Sequence, residues 1–379
     1  MMKSKDFPDV NGNFGFGCMR LPMKGGEIDH DAMNRMVDAF LEAGFNYFDT
    51  AHPYHGGASE TAIHECLSKR YARDRFILAD KLTEPFFNKQ EDIRPFFEKQ
   101  LEACGVDYFD FYLMHAQDMR IYQKFKRCKA YETAYGFKEE GLIKHFGISF
   151  HDKAEVLDMI LSEHPEVEFV QIQMNYVDYE SASVESRKVY EVCEKYNKPA
   201  IVMEPVKGGN LVNLPKEADA VLKGLNGGSN ASYALRFAGS FPKIFMVLSG
   251  MSDMDQMNDN ISSMKDFKPL DEKEMEAIHK VCDIFNSMNL VPCTGCRYCI
   301  EENECPKKIR IPDMFSALNS AEAFEGWNSS YYYSEVITAE GFGKASDCIN
   351  CGKCEKVCPQ HLPIRDLLKD VAKKFETSS

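Results

Sequence analysis

Residues 45–57, Phe45-Asn46-Tyr47-Phe48-Asp49-Thr50-Ala51-His52-Pro53-Tyr54-His55-Gly56-Gly57, decide the fold of this chain. The aromatic run Phe45–Phe48 predicts a short buried β-strand. Polar side chains follow the strand at once, and the two glycines then permit a tight turn. A strand that ends in this way is typical of parallel α/β sheets, in which the carboxyl ends of the strands carry the chemistry.

The same strand-and-helix unit recurs along the first 265 residues. The other predicted strands are Phe14–Met19, Arg75–Ala79, Tyr108–Leu113, His145–Ser149, Val170–Gln173, Ala200–Met203 and Phe245–Leu248. Amphipathic segments between them predict helices at Asp31–Ala43, Ser59–Arg70, Ile93–Ala103, Ala154–Ser162 and Val184–Tyr196. Eight strands alternating with helices predict an α/β fold of the TIM (β/α)8 barrel type. A doubly wound open sheet is the alternative, but Gly15-Phe16-Gly17 lacks the third glycine and the helix of its fingerprint.

The length of 379 residues accommodates such a barrel and a separate module. We predict a barrel over residues 1–265, a connecting helix within 266–290, and a small, mostly helical domain over 291–379. Helices are expected there at Ile311–Phe324 and Ile364–Phe375, and the aromatic segment Trp327–Tyr333 is expected to pack on the barrel.

The charge balance excludes several classes of function. The formal net charge is −14, which disfavours nucleic-acid binding. This charge mainly supports solubility and leaves a basic protein partner open. No apolar run approaches the length of a membrane helix. The polar start, Met1–Asn13, has no hydrophobic stretch of a secretory signal, so we expect a cytoplasmic protein.

Two cysteine runs near the C-terminus predict metal clusters. They are Cys293-x2-Cys296-x2-Cys299-x5-Cys305-Pro306 and Cys348-x2-Cys351-x2-Cys354-x3-Cys358-Pro359. Three cysteines at two-residue gaps, then a fourth followed by proline, form the bacterial ferredoxin pattern. Two such runs indicate two 4Fe-4S clusters, whereas structural zinc usually takes two separated C-x2-C pairs.

The fourth cysteine of each run is expected to bind the other cluster, as in two-cluster ferredoxins. This assigns Cys293, Cys296, Cys299 and Cys358 to one cluster, and Cys348, Cys351, Cys354 and Cys305 to the other. The first run departs from the pattern, because five residues rather than three precede Cys305.

The ends of three predicted strands carry an ordered polar set. Asp49 and Tyr54 follow the second strand, Lys81 the third, and His115 the fourth. Because these four residues occur in this order at strand ends, residues 10–263 resemble the aldo/keto reductase superfamily. With the cysteine runs, the chain resembles the ferredoxin-fused branch of that superfamily, which contains 4Fe-4S clusters. The resemblance implies that Tyr54 is the general acid in reduction of a carbonyl. Lys81 would lower the pKa of the phenol, Asp49 would hold Lys81, and His115 would hydrogen-bond the substrate oxygen.

The resemblance also implies a nicotinamide dinucleotide in the barrel mouth. Ser149 and Gln171 would contact the carboxamide. Met203, Pro205, Lys207, Gly208 and Gly209 would lie along the pyrophosphate, and Ser249, Gly250, Ser252, Gln256 and Asn260 would hold the adenosine end. The family's carboxamide-binding Asn falls at Phe150, and the cations that clamp the 2′-phosphate of NADP fall at Gly250 and Gln256. Both NADP and NAD therefore stay open, with Lys207 as a partial substitute for those cations.

These residues together predict an oxidoreductase that reduces an aldehyde or ketone with NAD(P)H and carries two clusters for electron transfer or structure. Clusters move single electrons and nicotinamide moves a hydride, so a flavin is the usual mediator between them. The alternatives are an iron–sulfur reductase, with or without a flavin, that takes electrons from a ferredoxin-type protein partner, and a non-catalytic electron carrier. The intact polar set argues against the carrier. Nucleic-acid and membrane partners are not expected.

Overall fold

The computed structural model describes residues 4–181, 184–288, 290–301, 305–323, 329–339 and 341–376. Contacts divide the chain into two compact units, Met1–Pro205 with Ala231–Leu270, and Val206–Asn230 with Asp271–Ser379. Residues 206–230 therefore group with the C-terminal part of the chain, whereas the sequence boundary at residue 265 assigned them to the barrel. Residues 324–328, which include Trp327, lie outside the described residues, so the packing expected of that segment stays a prediction.

The first unit is built on a closed barrel of eight parallel strands, which confirms the predicted (β/α)8 architecture. Each predicted strand overlaps an observed one, and neighbours around the barrel follow the order β1-β10-β9-β8-β7-β6-β5-β4. A small hairpin, β2 and β3, lies outside the barrel. The strands are β1 Phe14–Gly17, β2 Met23–Lys24, β3 Glu27–Ile28, β4 Tyr47–Asp49, β5 Ile77–Leu82, β6 Phe109–Gln117, β7 Ile143–Phe150, β8 Phe169–Gln173, β9 Ala200–Met203 and β10 Ile244–Gly250.

Helices follow the strands, as the barrel pattern requires. Aspartate side chains cap three of them at their N-termini, since Asp29 accepts from the Ala32 amide at 3.0 Å, Asp118 from the Ile121 amide at 2.6 Å and Asp253 from the Gln256 amide at 2.8 Å. The helices of this unit are α1 His30–Glu42, α2 Ala58–Ile63, α3 Gln90–Cys104, α4 Met119–Arg127, α5 Ala130–Glu139, α6 Ala154–Glu163, α7 Ser186–Lys195, α9 Asn230–Gly239 and α10 Met254–Met264. The helix predicted at Ser59–Arg70 is α-helical only in its first part, α2. A π-helical turn, His64–Ser68, continues it.

Aromatic side chains fill the amino-terminal end of the barrel. The ring of Phe7 packs 5.0 Å from that of Phe111 and 4.6 Å from that of Phe245. Phe7 belongs to a buried cluster with Val10 and Ile77, and Ile77 begins β5. Because this end is packed with apolar groups, the polar chemistry is confined to the carboxyl ends of the strands.

The second unit is mostly helical, as predicted. Its buried core joins α13 and α16 through residues such as Phe315 and Leu368, and partly buried cysteines of both runs pack against it. Asn319 holds the start of the first run, donating to the Val291 carbonyl and accepting from its amide, both at 2.7 Å. The helices are α8 Lys216–Lys223, α11 Glu272–Ser287, α12 Tyr298–Glu301, α13 Ile311–Ala323, α14 Ser329–Tyr332, α15 Lys353–Lys356 and α16 Ile364–Phe375. Within the described parts of both units, no helix has the length and apolar character needed to cross a membrane.

Candidate active site and cluster sites

A buried ion pair forms the base of the candidate active site. The Lys81 ammonium donates to Asp49 Oδ1 at 2.6 Å and to the Thr50 carbonyl at 2.7 Å, and both charged side chains are almost fully buried. Burial raises the pKa of Asp49, and the positive charge of Lys81 opposes that rise. An ammonium has three N–H donors, so one is left for a further partner.

Tyr54 lies beside this pair, with the Lys81 ammonium 5.0 Å from the centroid of its ring. Burial raises the pKa of Tyr54 well above 10, and the negative charges of Asp49 and Asp80 add to the rise. The lowering of this pKa predicted from the sequence is therefore wrong for the protein without bound ligands. The reason is physical: Asp49 already neutralises Lys81 at contact distance, and the phenol is buried among carboxylates. Tyr54 is thus a neutral phenol that keeps its proton.

His115 completes the set, with its ring centroid 6.1 Å from that of Tyr54. Burial lowers the pKa of His115 well below 6.5, and Lys81 lowers it further, so the imidazole is neutral. Its Nδ1 lies 2.8 Å from Thr83 Oγ1. The same hydroxyl has the Lys81 carbonyl as another acceptor, at the longer distance of 3.4 Å. With the hydroxyl proton directed to Nδ1, the shorter contact, the ring proton resides on Nε2, and that nitrogen can donate to a substrate oxygen. Sequence reasoning missed Thr83, although it follows Lys81 by two residues at the end of β5.

The candidate nicotinamide contacts lie on neighbouring strands at one level. Ser149 of β7 pairs in register with Gln171 of β8, and both side chains are buried. The Ser149 hydroxyl accepts from the Ala116 amide at 2.7 Å. Gln171 Oε1 is buried and has no hydrogen-bond partner among the described residues. A buried acceptor without a donor is costly, so this oxygen fits a ligand with an N–H group, such as a carboxamide.

The candidate adenosine site is a self-contained turn at the start of α10. Asp253 caps the helix, accepting from the Gln256 amide at 2.8 Å and from its side-chain Nε2 at 2.9 Å, while Gln256 Oε1 accepts from the Ser252 amide at 2.9 Å. Asn260 donates to Ser249 Oγ at 3.0 Å in the buried layer below. The predicted contact residue Gln256 is therefore already engaged within the turn. Asp253, which sequence reasoning missed, adds a carboxylate to this candidate site.

Other groups complete this turn. A side chain at Gly250 would meet the aliphatic part of Arg20 at 3.1 Å, so Arg20 packs over this glycine. The Arg20 guanidinium lies 3.8 Å from Glu204, and the Ser252 hydroxyl donates to the Arg20 carbonyl at 2.9 Å.

The predicted pyrophosphate segment is divided between the two units. Met203 ends β9 and Pro205 is buried in the first unit, whereas Lys207, Gly208 and Gly209 belong to the second. Gly208 has a φ of +64°, and a Cβ there would lie 1.9 Å from the Thr294 carbonyl oxygen.

Asn210 strengthens the same contact, because its side-chain amide donates to the Lys207 carbonyl at 2.9 Å and to the Cys293 carbonyl at 3.0 Å. Contact with the backbone of the first cysteine run therefore explains this glycine without any dinucleotide. Residues 206–230 also join the second unit through α8, which packs against α11.

Five cysteines from both runs line one pocket: Cys299, Cys305, Cys348, Cys351 and Cys354. Four of them are the crossed set expected from two-cluster ferredoxins, and Cys299, which that expectation assigns to the other set, lines the pocket as well. Its walls are otherwise apolar, with Ile309, Ile311 and Leu368, or cationic, with Lys307, Lys353 and Arg365.

The other expected set consists of Cys293, Cys296, Cys299 and Cys358, and its members lie near one another. Burial raises the pKa of the Cys299 thiol, and negative charge on Cys296, Cys293 and Cys358 raises it further, so these sulfurs lie within electrostatic reach of one another. Cys354 of the neighbouring set adds to the effect. The first-run triplet thus approaches Cys358 of the second run.

The chemistry of the donor set fits iron–sulfur clusters. In a mononuclear zinc site each thiolate lies about 2.3 Å from the same ion. In a 4Fe-4S cube each thiolate binds a different iron, which requires wider spacing. Soft sulfur ligands around a cavity are what such a cube needs.

A closed barrel with a buried Lys–Asp pair, a phenol and an imidazole at its carboxyl end, together with a cysteine-rich helical unit, defines a barrel oxidoreductase with an iron–sulfur domain. The family model of the aldo/keto reductase family matches residues 13–283, and that of the 4Fe-4S dicluster domain matches residues 292–362. The chain belongs to the aldo/keto reductase family and carries a C-terminal 4Fe-4S dicluster domain.

Known proteins agree with this class. An uncharacterized oxidoreductase of Schizosaccharomyces pombe is 26% identical over 286 residues, which cover 70% of this chain and 87% of the relative. A solved aldo-keto reductase from Bacillus halodurans, in its holo form, has a TM-score of 0.59 at 24% identity. The match covers 74% of this chain and 96% of the Bacillus chain. A solved aldo-keto reductase from Klebsiella pneumoniae in complex with NADPH has a TM-score of 0.61 at 17% identity. The match covers 74% of this chain and 95% of the Klebsiella chain. At these identities the solved structures establish the fold alone.

Proposed function

We propose that this oxidoreductase reduces an aldehyde or ketone, with Tyr54 as the proton donor to the carbonyl oxygen. The observation that carries the proposal is the buried group in which Lys81 binds Asp49 at 2.6 Å and lies 5.0 Å from the ring of Tyr54. When bound, a reduced nicotinamide supplies a hydride to the carbonyl carbon. The chain's own residues hold the substrate and provide the proton that the oxygen then requires.

Tyr54 suits donation because it stays protonated. Its raised pKa means that the proton leaves only when negative charge develops on the substrate oxygen. The third N–H of Lys81 can then stabilise the phenolate, while Asp49 keeps the ammonium charged and oriented. The neutral His115 donates a second hydrogen bond from Nε2 to the same oxygen. All four side chains are nearly buried, which keeps these interactions strong.

NADH is the proposed hydride source, ahead of NADPH. The unpartnered Gln171 Oε1, beside Ser149, supports a carboxamide ligand at the nicotinamide end. Asp253 opposes a 2′-phosphate at the adenosine end, because two like charges at a helix N-terminus repel. The same carboxamide contacts favour a nicotinamide over a flavin in the barrel.

We further propose two 4Fe-4S clusters on the crossed cysteine sets. Cys293, Cys296, Cys299 and Cys358 would hold one, and Cys305, Cys348, Cys351 and Cys354 the other, as supported by the common cavity of the second set. The clusters would serve as one-electron carriers or as structural elements of the helical unit.

Protein prepared without oxygen tests these proposals. Iron, sulfide and flavin are measured first, with eight irons and eight sulfides per chain as the result for two cubes. NADH or NADPH is then added with and without a carbonyl compound. Carbonyl-dependent oxidation, faster with NADH and slower by about 10² to 10⁴ in Tyr54→Phe, is expected. Equal turnover in Tyr54→Phe would reject the role of Tyr54, and a stoichiometric flavin would reject the nicotinamide-only barrel.

A further inference from the structure

A half-buried imidazole lies at the catalytic end of the barrel, close to Tyr54. His52 follows β4 and precedes Tyr54 by two residues, so the Cα atoms of these two residues are no more than about 7 Å apart. The Nδ1 atom of His52 lies 2.7 Å from Oε2 of Glu60, and the two side chains are 31% and 1% exposed. A buried carboxylate that faces an imidazole fixes both the orientation of the ring and the position of its proton.

A second buried carboxyl group accompanies Glu60. The side-chain amide of Gln100 donates to Oε1 of Glu60 and to Oδ1 of Asp80, both at 3.1 Å, and Asp80 is fully buried. Burial raises the pKa of Asp80 well above its ordinary value, and the negative charge of Glu60 raises it further. Asp80 therefore carries the proton of the pair, and Glu60 is its ionised member. Because an ionised carboxylate only accepts, the Nδ1–H group of His52 is the donor of their hydrogen bond.

The other ring nitrogen of His52 is thereby left as a hydrogen-bond acceptor. A neutral imidazole has a single N–H, and Nδ1 carries it. Among the residues that the structure describes, Nε2 of His52 has no hydrogen-bond partner, and it is not one of the buried atoms. The ring therefore presents a lone pair of fixed direction to solvent, at the end of the barrel where Tyr54 lies.

Two phenylalanine rings flank this imidazole. The centroid of the His52 ring lies 4.5 Å from that of Phe86 and 5.1 Å from that of Phe96, and the two phenylalanine rings stack on each other. Phe96 of α3 is buried, whereas Phe86 is 42% exposed. The Phe86 amide donates at 3.2 Å to the carbonyl of Thr83, the residue that contacts His115. An exposed ring supported by a buried one is a surface on which another aromatic ring can stack.

We propose that His52, Phe86 and Phe96 select an aromatic carbonyl substrate that carries a hydroxyl group. This inference rests on the proposed reduction of a carbonyl at Tyr54, and it names the class of substrate. The substrate ring packs against Phe86, and its hydroxyl donates to Nε2 of His52 while its carbonyl oxygen faces Tyr54. The two buried carboxyl groups act only through the orientation of the imidazole, so they belong to positioning residues.

An imidazole with similar surroundings at the opposite end of the barrel separates this role from simple packing. His145 pairs with Glu168, with Nδ1 3.2 Å from Oε2, and its side chain is 29% exposed. Its ring centroid lies 4.7 Å from that of Phe7 and 4.9 Å from that of Phe111, at the amino-terminal end. His145→Phe is therefore a matched control for His52→Phe, because each variant removes a glutamate-paired imidazole beside two phenylalanine rings.

The test uses the full-length protein, NADH and pairs of aldehydes of nearly equal shape. 3-Hydroxybenzaldehyde is compared with 3-methylbenzaldehyde, and 4-hydroxybenzaldehyde with 4-methylbenzaldehyde, so the ratio of kcat/KM within a pair isolates the hydroxyl group. We expect the wild type to prefer the hydroxy compound roughly tenfold in at least one pair. His52→Phe should reduce this ratio to about one while it still reduces the methyl compound.

Three further variants separate the contributions to this preference. Glu60→Gln should lower the ratio, because an amide does not fix the ring proton of His52. Phe86→Ala should raise KM for both members of a pair alike, because it removes the stacking surface and keeps the hydrogen bond. His145→Phe should keep the wild-type ratio.

A binding measurement separates recognition from turnover. Isothermal titration calorimetry with the corresponding benzyl alcohols should show the same preference for the hydroxy compound in the wild type, and its loss in His52→Phe. Absence of carbonyl reduction by the wild type with any of the aldehydes would refute the proposed function itself. Equal kcat/KM within both pairs, or a preference that His52→Phe leaves intact or that His145→Phe removes equally, would overturn the recognition of the hydroxyl group alone.

Discussion

Replacing Lys81 with methionine tests the buried ion pair directly. The Lys81 and Asp49 side chains are 1% and 4% exposed and 2.6 Å apart, so Lys81→Met leaves a carboxylate buried without its cation. Methionine keeps the apolar stem, which limits the loss of packing. Breaking a buried pair by removing one partner costs about 3–5 kcal/mol. We expect a decrease of that size in the free energy of unfolding of the barrel at pH 7, measured anaerobically by urea titration with circular dichroism.

The pH dependence gives this prediction its sign. Without Lys81, burial still raises the pKa of Asp49 above its unfolded value near 3.9. Between these two pKa values the native state binds more protons than the unfolded state, so the added instability is absent below pH 4, grows as pH rises from the unfolded pKa to the raised pKa, and is constant above it. The double variant Asp49→Asn/Lys81→Met carries no buried charge and should recover much of the loss. Lys69→Met is the control, since Lys69 pairs with Glu65 on the exposed surface, and it should be neutral. If the free energy of unfolding of Lys81→Met stayed within about 1 kcal/mol of the wild-type value at every pH, the proposed stabilising role of the buried ion pair would be refuted.

Three further predictions concern positioning, cluster assembly and pH. Thr83→Val should lower kcat for carbonyl reduction by roughly tenfold or more with little change in KM, and Thr83→Ser should restore it, because only a hydroxyl fixes the tautomer of His115. Gly208→Ala should reduce iron and sulfide per chain, since its Cβ meets a backbone carbonyl at 1.9 Å, whereas Gly209→Ala, with φ +98° and no neighbour within 4 Å, carries only backbone strain. The reduction rate should be flat from about pH 6.5 to 10, because the pKa of His115 is lowered and that of Tyr54 is raised beyond those limits.

A specific result would contradict each of these three predictions. Equal kcat in Thr83→Val and the wild type would remove the positioning role of that hydroxyl. Equal cluster content in the Gly208→Ala and Gly209→Ala proteins would mean that contact with the first cysteine run does not support assembly. An alkaline fall in rate centred near pH 8 would show that Tyr54 loses its proton far below the range implied by its burial.

The barrel could be predicted from sequence because its signal is local. Each strand is a short β-rich run, and β9 was predicted with the observed bounds, Ala200–Met203. The polar set also lies at strand ends that sequence can locate. The amino-terminal packing was missed because Phe7 lies in a polar segment, and its contact with Phe245 joins distant parts of the chain.

The remainder depended on three-dimensional contacts that no local pattern encodes. Gly208 looked like a phosphate-binding glycine, and its closeness to Thr294 spans more than eighty residues of sequence. The sign of the Tyr54 pKa shift was missed because the sequence suggested Lys81 as a neighbour but gave no measure of burial. The gathering of Cys305 with the second run was predictable only through the ferredoxin motif.

Deuterium transfer from NADH tests the central claim most directly. NADH dideuterated at C4 is mixed anaerobically with the full-length protein and 4-nitrobenzaldehyde as a probe carbonyl, and the alcohol is examined by mass spectrometry. We predict one deuterium on the carbinol carbon, with turnover largely lost in Tyr54→Phe while that variant still binds NADH. Unlabelled alcohol, or labelled alcohol formed equally fast without the Tyr54 hydroxyl, would contradict reduction by direct hydride transfer with a tyrosine proton.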